Sequence, residues 1–209
     1  MSLLNKKYLF VHINKSGGGI ITKNMETNGN VELTGYHRSL SKMISLIPKE
    51  KHNQLYIFTV VRNPWDRMIS LYFYYKDKNY HSEFFSGDPE IDNDFNKWIK
   101  YIYSDKFDKT RIHSDVNVFT NCFSNQLNWL KDKNENIMRI NKILKFENMK
   151  SELNDFLKTK LQLKNIIDEK VHPTNHDHYS KYYNEESKEL VRLNYKEDID
   201  FFGYAFEKI

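Results

Sequence analysis

Apolar and polar positions alternate along this chain in short blocks, and the blocks change period. Residues 8–13 (YLFVHI) form an almost unbroken apolar run, and residues 55–61 (LYIFTVV) form another. Runs of this length, rich in β-branched and aromatic side chains, predict strands buried on both faces. Shorter strands are predicted at 31–34 and at 142–146 (KILKF). Residues 1–3 are given no weight as an element. Between the strands the period lengthens. A helix is predicted to open at Gly17 to Gly19 and run to Thr27, ending in the turn Asn28-Gly29-Asn30. After a loop at 35–38, Ser39 caps a short helix reaching Leu46, and Asn63 with Pro64 opens a helix reaching Tyr75. The pairing of Asn63 and Pro64 is a start signal. Asparagine accepts from an unpaired first-turn amide, and proline at the first helical position forfeits no hydrogen bond. Further helical segments are read at 95–103, at 119–130, after 146 as far as Leu161, and at 185–195. Residues 77–93 read as a polar excursion, 170–184 as a loop rich in His, Asn and Tyr, and 198–206 as an aromatic closing segment.

Strands alternating with helices predict an α/β fold: a central, mainly parallel sheet flanked by helices in three layers. In such folds ligands sit beyond the carboxyl ends of the strands. Two segments of unusual composition fall there. Lys15-Ser16-Gly17-Gly18-Gly19 follows the first long strand, and Arg62-Asn63-Pro64-Trp65-Asp66-Arg67 follows the second. A glycine loop at a helix start offers backbone N–H groups and the positive end of the helix dipole, so it suits a phosphate. Lys15 adds a cation and Ser16 a hydroxyl. Magnesium-dependent triphosphatase loops carry their lysine after the last glycine, followed by Ser or Thr. Here the lysine comes first. Arg62 at a strand tip, with Ser70 about two turns into the next helix, makes a second anion site. Asp66 and Arg67 are read as a surface ion-pair cluster. Two anion sites in one chain point to a ligand with phosphate at both ends.

Composition narrows the class. The 209 residues suffice for one domain, 1–209, with a full core, and the aromatic content of 15% supplies apolar area. No run is long enough for a membrane span and no signal-peptide layout precedes the first strand, so a soluble, cytoplasmic protein is expected. A net charge of +4 suits a small polyanion and is too weak to argue for nucleic acid. The single cysteine, Cys122, rules out an internal disulfide and an all-cysteine metal site. His172, His176 and His178 lack supporting Cys or acidic pairs, so no metal is expected. The composition does not speak to oligomeric state.

The segment Phe10-Val11-His12-Ile13-Asn14-Lys15-Ser16-Gly17-Gly18 resembles the 5′-phosphosulfate loop of sulfotransferases, which usually reads His-Ile-Pro-Lys-Thr-Gly-Gly-Thr-Ser. Residues 58–67, with Ser70 and Tyr72, resemble that family's 3′-phosphate segment. Residues 143–149 resemble its later strand-to-helix junction, and 172–183, 189–191, 198–199 and 202–206 resemble the C-terminal part of the branch that includes carbohydrate sulfotransferases. The resemblance implies 3′-phosphoadenosine 5′-phosphosulfate (PAPS) as donor, 3′,5′-bisphosphoadenosine (PAP) as product, a P-loop-type fold and no metal. It implies that Lys15 stabilises the leaving phosphate, that the amides of Ser16, Gly17, Gly18 and Gly19 hold the 5′ end, and that Arg62 and Ser70 hold the 3′-phosphate. It also implies a small-molecule or glycan acceptor and in-line transfer to its hydroxyl. His37 is the expected base, with Glu26 ranked second and His12 read as structural within the first strand. Asn14 stands where the family has proline, and Gly19-Ile20 where it has Thr-Ser. A small-molecule kinase and a non-catalytic PAP-binding protein are the alternative readings.

Overall fold

A tight turn at Asn5 and Lys6 starts the fold. Both residues take positive φ (51° and 56°), and the Lys7 amide donates to the Leu4 carbonyl at 3.0 Å. The turn folds β1 (Ser2–Leu4) antiparallel onto β2 (Tyr8–Val11), with Leu3 opposite Leu9. In the computed structural model, residues 2–32, 37–78, 84–107, 122–167 and 176–208 are described. They pack as two compact units. The first holds the described parts of 2–62 and 126–167; the second holds those of 63–107, 122–125 and 176–208.

The first unit carries a five-stranded sheet in the order β3-β1-β2-β4-β5. β3 is Val31–Glu32, β4 Tyr56–Val61 and β5 Lys142–Lys145. β2, β4 and β5 are parallel, with Phe10 beside Phe58 and Val60 beside Leu144, while β1 and β3 add an antiparallel edge. The α/β expectation therefore holds. Ser2 and Leu3, part of the 1–3 segment given no weight in the sequence, supply most of a strand. No Asn-Gly or Gly pair marks the hairpin turn, so its usual signal is missing. The strand read at 8–13 ends at Val11, and of that read at 31–34 only Val31–Glu32 is described.

Alternation along β2 and β4 directs Tyr8, Phe10, Phe58 and Val60 to one face. There they join Ile21 and Met25 of α1 (Gly19–Asn28), Leu153 of α6 (Met149–Asp155), and Phe156 and Leu157 of the wide π-type turn Phe156–Lys160. Leu9, Val11, Ile57 and Val61 alternate to the other face, and they too are buried. The first unit also holds α2 (Leu40–Ile44), capped as expected by Ser39, whose hydroxyl accepts from the Lys42 amide. The one polar side chain within β4, Thr59, is buried but donates to the Val11 carbonyl at 2.8 Å.

The second unit is helical and aromatic. α3 (Pro64–Lys78) starts where Asn63 accepts from the Trp65 amide at 3.1 Å, as the Asn-Pro signal predicts. Its Trp65, Met68, Ile69 and Tyr72 pack with Trp98 and Ile99 of α5 (Phe95–Ile102), Val191 of α7 (Glu185–Asn194), and Tyr195. α4 (Pro89–Asp92) lies within the segment read as an excursion, and α8 (Lys196–Phe202) runs into the segment read as an aromatic close. Of the helix read at 119–130, residues 119–121 lie outside the described residues, and a 3₁₀ turn at Gln126–Leu130, in the first unit, is what the remainder forms.

Arg67 corrects the sequence reading. It is not part of a surface cluster: its side chain is fully buried. Its guanidinium donates to the carbonyls of Cys122 (2.9 Å) and Ser124 (3.0 Å) and lies 6.0 Å from the Tyr195 ring. A Trp-Asp-Arg sequence at a helix start looks like solvated charge. Neighbouring carbonyls from a distant segment make burial affordable here.

Candidate active site

Parallel strands β2 and β4 end side by side in the first unit, and the two segments singled out in the sequence leave from those ends. The loop after β2 is bent sharply. Lys15 has φ of +56° and Gly17 of +81°. The left-handed region costs a side chain about 1 kcal/mol or more, which glycine avoids. A Cβ on Gly17 would also stand 2.5 Å from the ring of Phe146, and one on Gly18 would stand 2.4 Å from the His12 ring. Space requires glycine at both positions, and at Gly17 conformation does too; Gly18, with φ of −68°, is held to glycine by space alone. Gly18 precedes α1 in the capping position with no side-chain cap, and Gly19 is the first residue of that helix.

Around this loop the structure gathers most of the expected site residues. Arg62, one residue beyond β4, is buried. Its guanidinium donates to the Lys15 carbonyl at 3.2 Å and lies 4.1 Å over the ring of Phe146. Phe146 thus underlies Gly17 and Arg62 together. Lys15 is partly buried; loss of hydration, and then the positive charge of Arg62, lower its pKa from 10.5 to about 7. Two cations held at the end of a parallel sheet, against a loop with no room for side chains, suit an anion.

Ser16 departs from expectation. Its hydroxyl is fully buried and donates to Oε1 of Gln126 at 3.1 Å. The same Gln126 bonds both backbone groups of Arg62. Neither Gln126 nor Phe146 was singled out as a site residue. Both lie far from the glycine loop in sequence, and a lone glutamine carries no motif.

His37 lies in the same unit. Its Nδ1 is 2.9 Å from the His12 carbonyl, and its ring stands edge-to-face with the rings of His12 (4.6 Å) and Trp129 (6.1 Å). A carbonyl only accepts, so in the neutral ring Nδ1 carries the proton and Nε2 is the basic nitrogen. His12 is not inside the strand as expected; it follows β2, stacked on Phe10 at 5.4 Å and set against Gly18. Loss of hydration, and then the neighbouring His37, push its pKa well below the usual histidine value. It therefore stays neutral near pH 7. Gly35 and Tyr36, which precede His37, lie outside the described residues.

Ser70 is buried on α3, two turns from its start as predicted, and belongs to the second unit. Glu26 lies near the far end of α1 and is exposed. His172 lies outside the described residues. His176 stacks on Phe73, and His178 pairs with Ser180. Among the described residues, no three His, Cys, Asp or Glu side chains cluster to hold a metal. None of the described helices is long and apolar enough to cross a membrane.

No curated protein and no solved structure matches the chain. The sequence model of the Sulfotransferase family matches residues 3–205, from β1 to the segment after α8. That match spans the glycine loop, the strand-tip arginine and both units, and sets the kinase reading aside. The chain belongs to the PAPS-dependent sulfotransferase family, whose members transfer a sulfuryl group from that donor.

Proposed function

We propose that this protein sulfates a carbohydrate hydroxyl, with His37 as the general base. The observation that carries the base assignment is the hydrogen bond from His37 Nδ1 to the His12 carbonyl, 2.9 Å long, which leaves Nε2 as the proton-accepting nitrogen. The residues fit the donor. Gly17 and Gly18 leave backbone where side chains would intrude, and Lys15 and Arg62 bring two cations to the same strand ends. Lys15 and the amides from Ser16 to Gly19 hold the 5′ end, and Arg62 holds the 3′-phosphate. When bound, PAPS supplies the sulfuryl group: its bond to the 5′-phosphate oxygen breaks as the acceptor oxygen bonds to sulfur. His37 takes the acceptor proton. Lys15, protonated, balances the charge left on the phosphate.

Support for a carbohydrate acceptor comes from the C-terminal resemblance at 172–183, 189–191, 198–199 and 202–206. Incubation with radiolabelled PAPS and a panel of oligosaccharides, phenols and amines tests it. Transfer to a sugar hydroxyl is the expected result; transfer to phenols or amines alone would overturn the acceptor class. His37→Ala should bind PAP as the wild type does while kcat falls by about 10²-fold or more. Unchanged transfer by that variant would remove His37 as base. Tight PAP binding with no transfer to any acceptor would favour a non-catalytic PAP-binding protein. The engagement of the Ser16 hydroxyl by Gln126 and the absence of hydroxyls at Gly19-Ile20 give that second reading its footing.

A further inference from the structure

Gln126 is fully buried in the 3₁₀ turn Gln126–Leu130, and its side-chain amide hydrogen-bonds both the glycine loop and the strand tip. Its Oε1 accepts from the Arg62 amide at 2.8 Å and from the Ser16 hydroxyl at 3.1 Å, and its Nε2 donates to the Arg62 carbonyl at 2.8 Å. Because Arg62 offers one backbone donor and one acceptor, the orientation of the amide is set by its partners. β4 ends at Val61, the last residue of that strand paired with β5. The Gln126 amide bonds both backbone groups of Arg62, as a residue on a neighbouring strand would in part. The Arg62 guanidinium in turn donates to the Lys15 carbonyl at 3.2 Å. The result is a closed circuit: Ser16 to Gln126, Gln126 to Arg62, Arg62 to Lys15, and the peptide bond back to Ser16. One end of the circuit is the glycine loop and the other is the strand-tip arginine.

We propose that Gln126 is a positioning residue for the donor. It locks the 5′-phosphate loop and Arg62 into a single rigid cradle, so that both phosphates of PAP meet groups already in place. Ser16 then serves as a latch to Gln126 rather than as a phosphate donor in the ligand-free protein. This role rests on reading Arg62 and the loop as the donor site. Preorganisation of this kind acts on affinity by removing the ordering cost at binding.

Calorimetric titration with PAP tests it on the whole chain. Gln126→Met keeps volume and burial but removes the bonds to Ser16 and Arg62, and should weaken PAP by about tenfold or more. Ser16→Ala should weaken PAP in the wild type and have much less effect on the Gln126→Met background, because the latch is already gone. Gln126→Glu gives a readout that simple loss of packing would not. A protonated carboxyl can donate to the Arg62 carbonyl and accept the other two bonds, whereas the carboxylate faces that carbonyl with a like partial charge. PAP affinity of Gln126→Glu, relative to wild type at each pH, should therefore be near normal at low pH and fall as the carboxyl ionises. Should Gln126→Met fail to fold, Gln126→Glu carries the test alone. A folded Gln126→Glu whose affinity tracks the wild type at every pH would overturn the proposal, as would additive effects of Ser16→Ala and Gln126→Met. Absence of PAP binding by the wild type would overturn the donor reading itself and this role with it.

Discussion

At Gly17 conformation and space make the same demand. Its φ of +81° disfavours any Cβ, and the ring 2.5 Å from the built Cβ belongs to Phe146, which also carries the Arg62 guanidinium. Moving Phe146 to admit a methyl group therefore disturbs the arginine. Gly17→Ala is expected to lose about 2–3 kcal/mol of stability from backbone strain and overpacking together. It is also expected to bind PAP far more weakly; urea unfolding and calorimetry check the two effects separately. Glycine, lysine and arginine were legible here because each residue type has few other reasons to stand at a strand end. Gln126 and Phe146 were not. Their roles exist only once β4 and β5 are paired and the 3₁₀ turn has brought residue 126 to Arg62. His12 was misplaced for a related reason: an apolar run does not show where strand pairing stops.

Among the elements, the long apolar runs and the capped helices were readable, and the short or turn-dependent ones were not. β2, β4, α1 and α3 each combine a clear period with a start or stop signal. β1 has three residues and a turn without glycine, so only its pairing with β2 and β3 defines it. That turn makes a prediction. Lys6 holds φ of +56° and its ion pair with Glu32 is long, at 3.6 Å, and well exposed. An exposed pair contributes little, whereas Asn-Gly is the preferred sequence for positive φ at both turn positions. Lys6→Gly should therefore raise stability by about 0.5–1 kcal/mol, read as a shift of the urea midpoint with unchanged slope. In the second unit, Arg67→Met should do the opposite. It fills similar volume but abandons the carbonyls of Cys122 and Ser124. The expected cost is about 2–4 kcal/mol, since a buried and a part-buried acceptor lose charge-assisted donors. A loss below 0.5 kcal/mol would mean the carbonyls find other partners.

For the whole molecule, Lys15 ties folding and donor binding to pH with opposite signs. Its pKa is about 7 in the folded protein, below its ordinary 10.5, because burial and Arg62 penalise its charge. Between those values the unfolded chain binds more protons than the folded one, so this residue makes ligand-free stability rise as pH increases from 7 towards 10.5. Below pH 7 both states are protonated and the penalty is constant. Binding of a bisphosphate brings negative charge beside the lysine and arginine, and so raises the Lys15 pKa in the complex. PAP affinity should then fall as pH rises above 7, by up to about tenfold per pH unit until the pKa of the complex is reached. Proton uptake should accompany binding in that range. Thermal unfolding measured with and without PAP separates the two signs. PAP at about 100-fold over Kd adds about 2.7 kcal/mol at any pH, so ligand must be held at fixed concentration for the affinity change to appear. Under that condition the PAP-induced rise in Tm should shrink above pH 7, while the contribution of Lys15 to ligand-free Tm grows. Lys15→Met removes both dependences at once, and the wild-type minus Lys15→Met difference cancels the other titrating groups. A PAP-induced shift that stays constant from pH 7 to 9 in the wild type would mean that the Lys15 charge is not engaged by the donor.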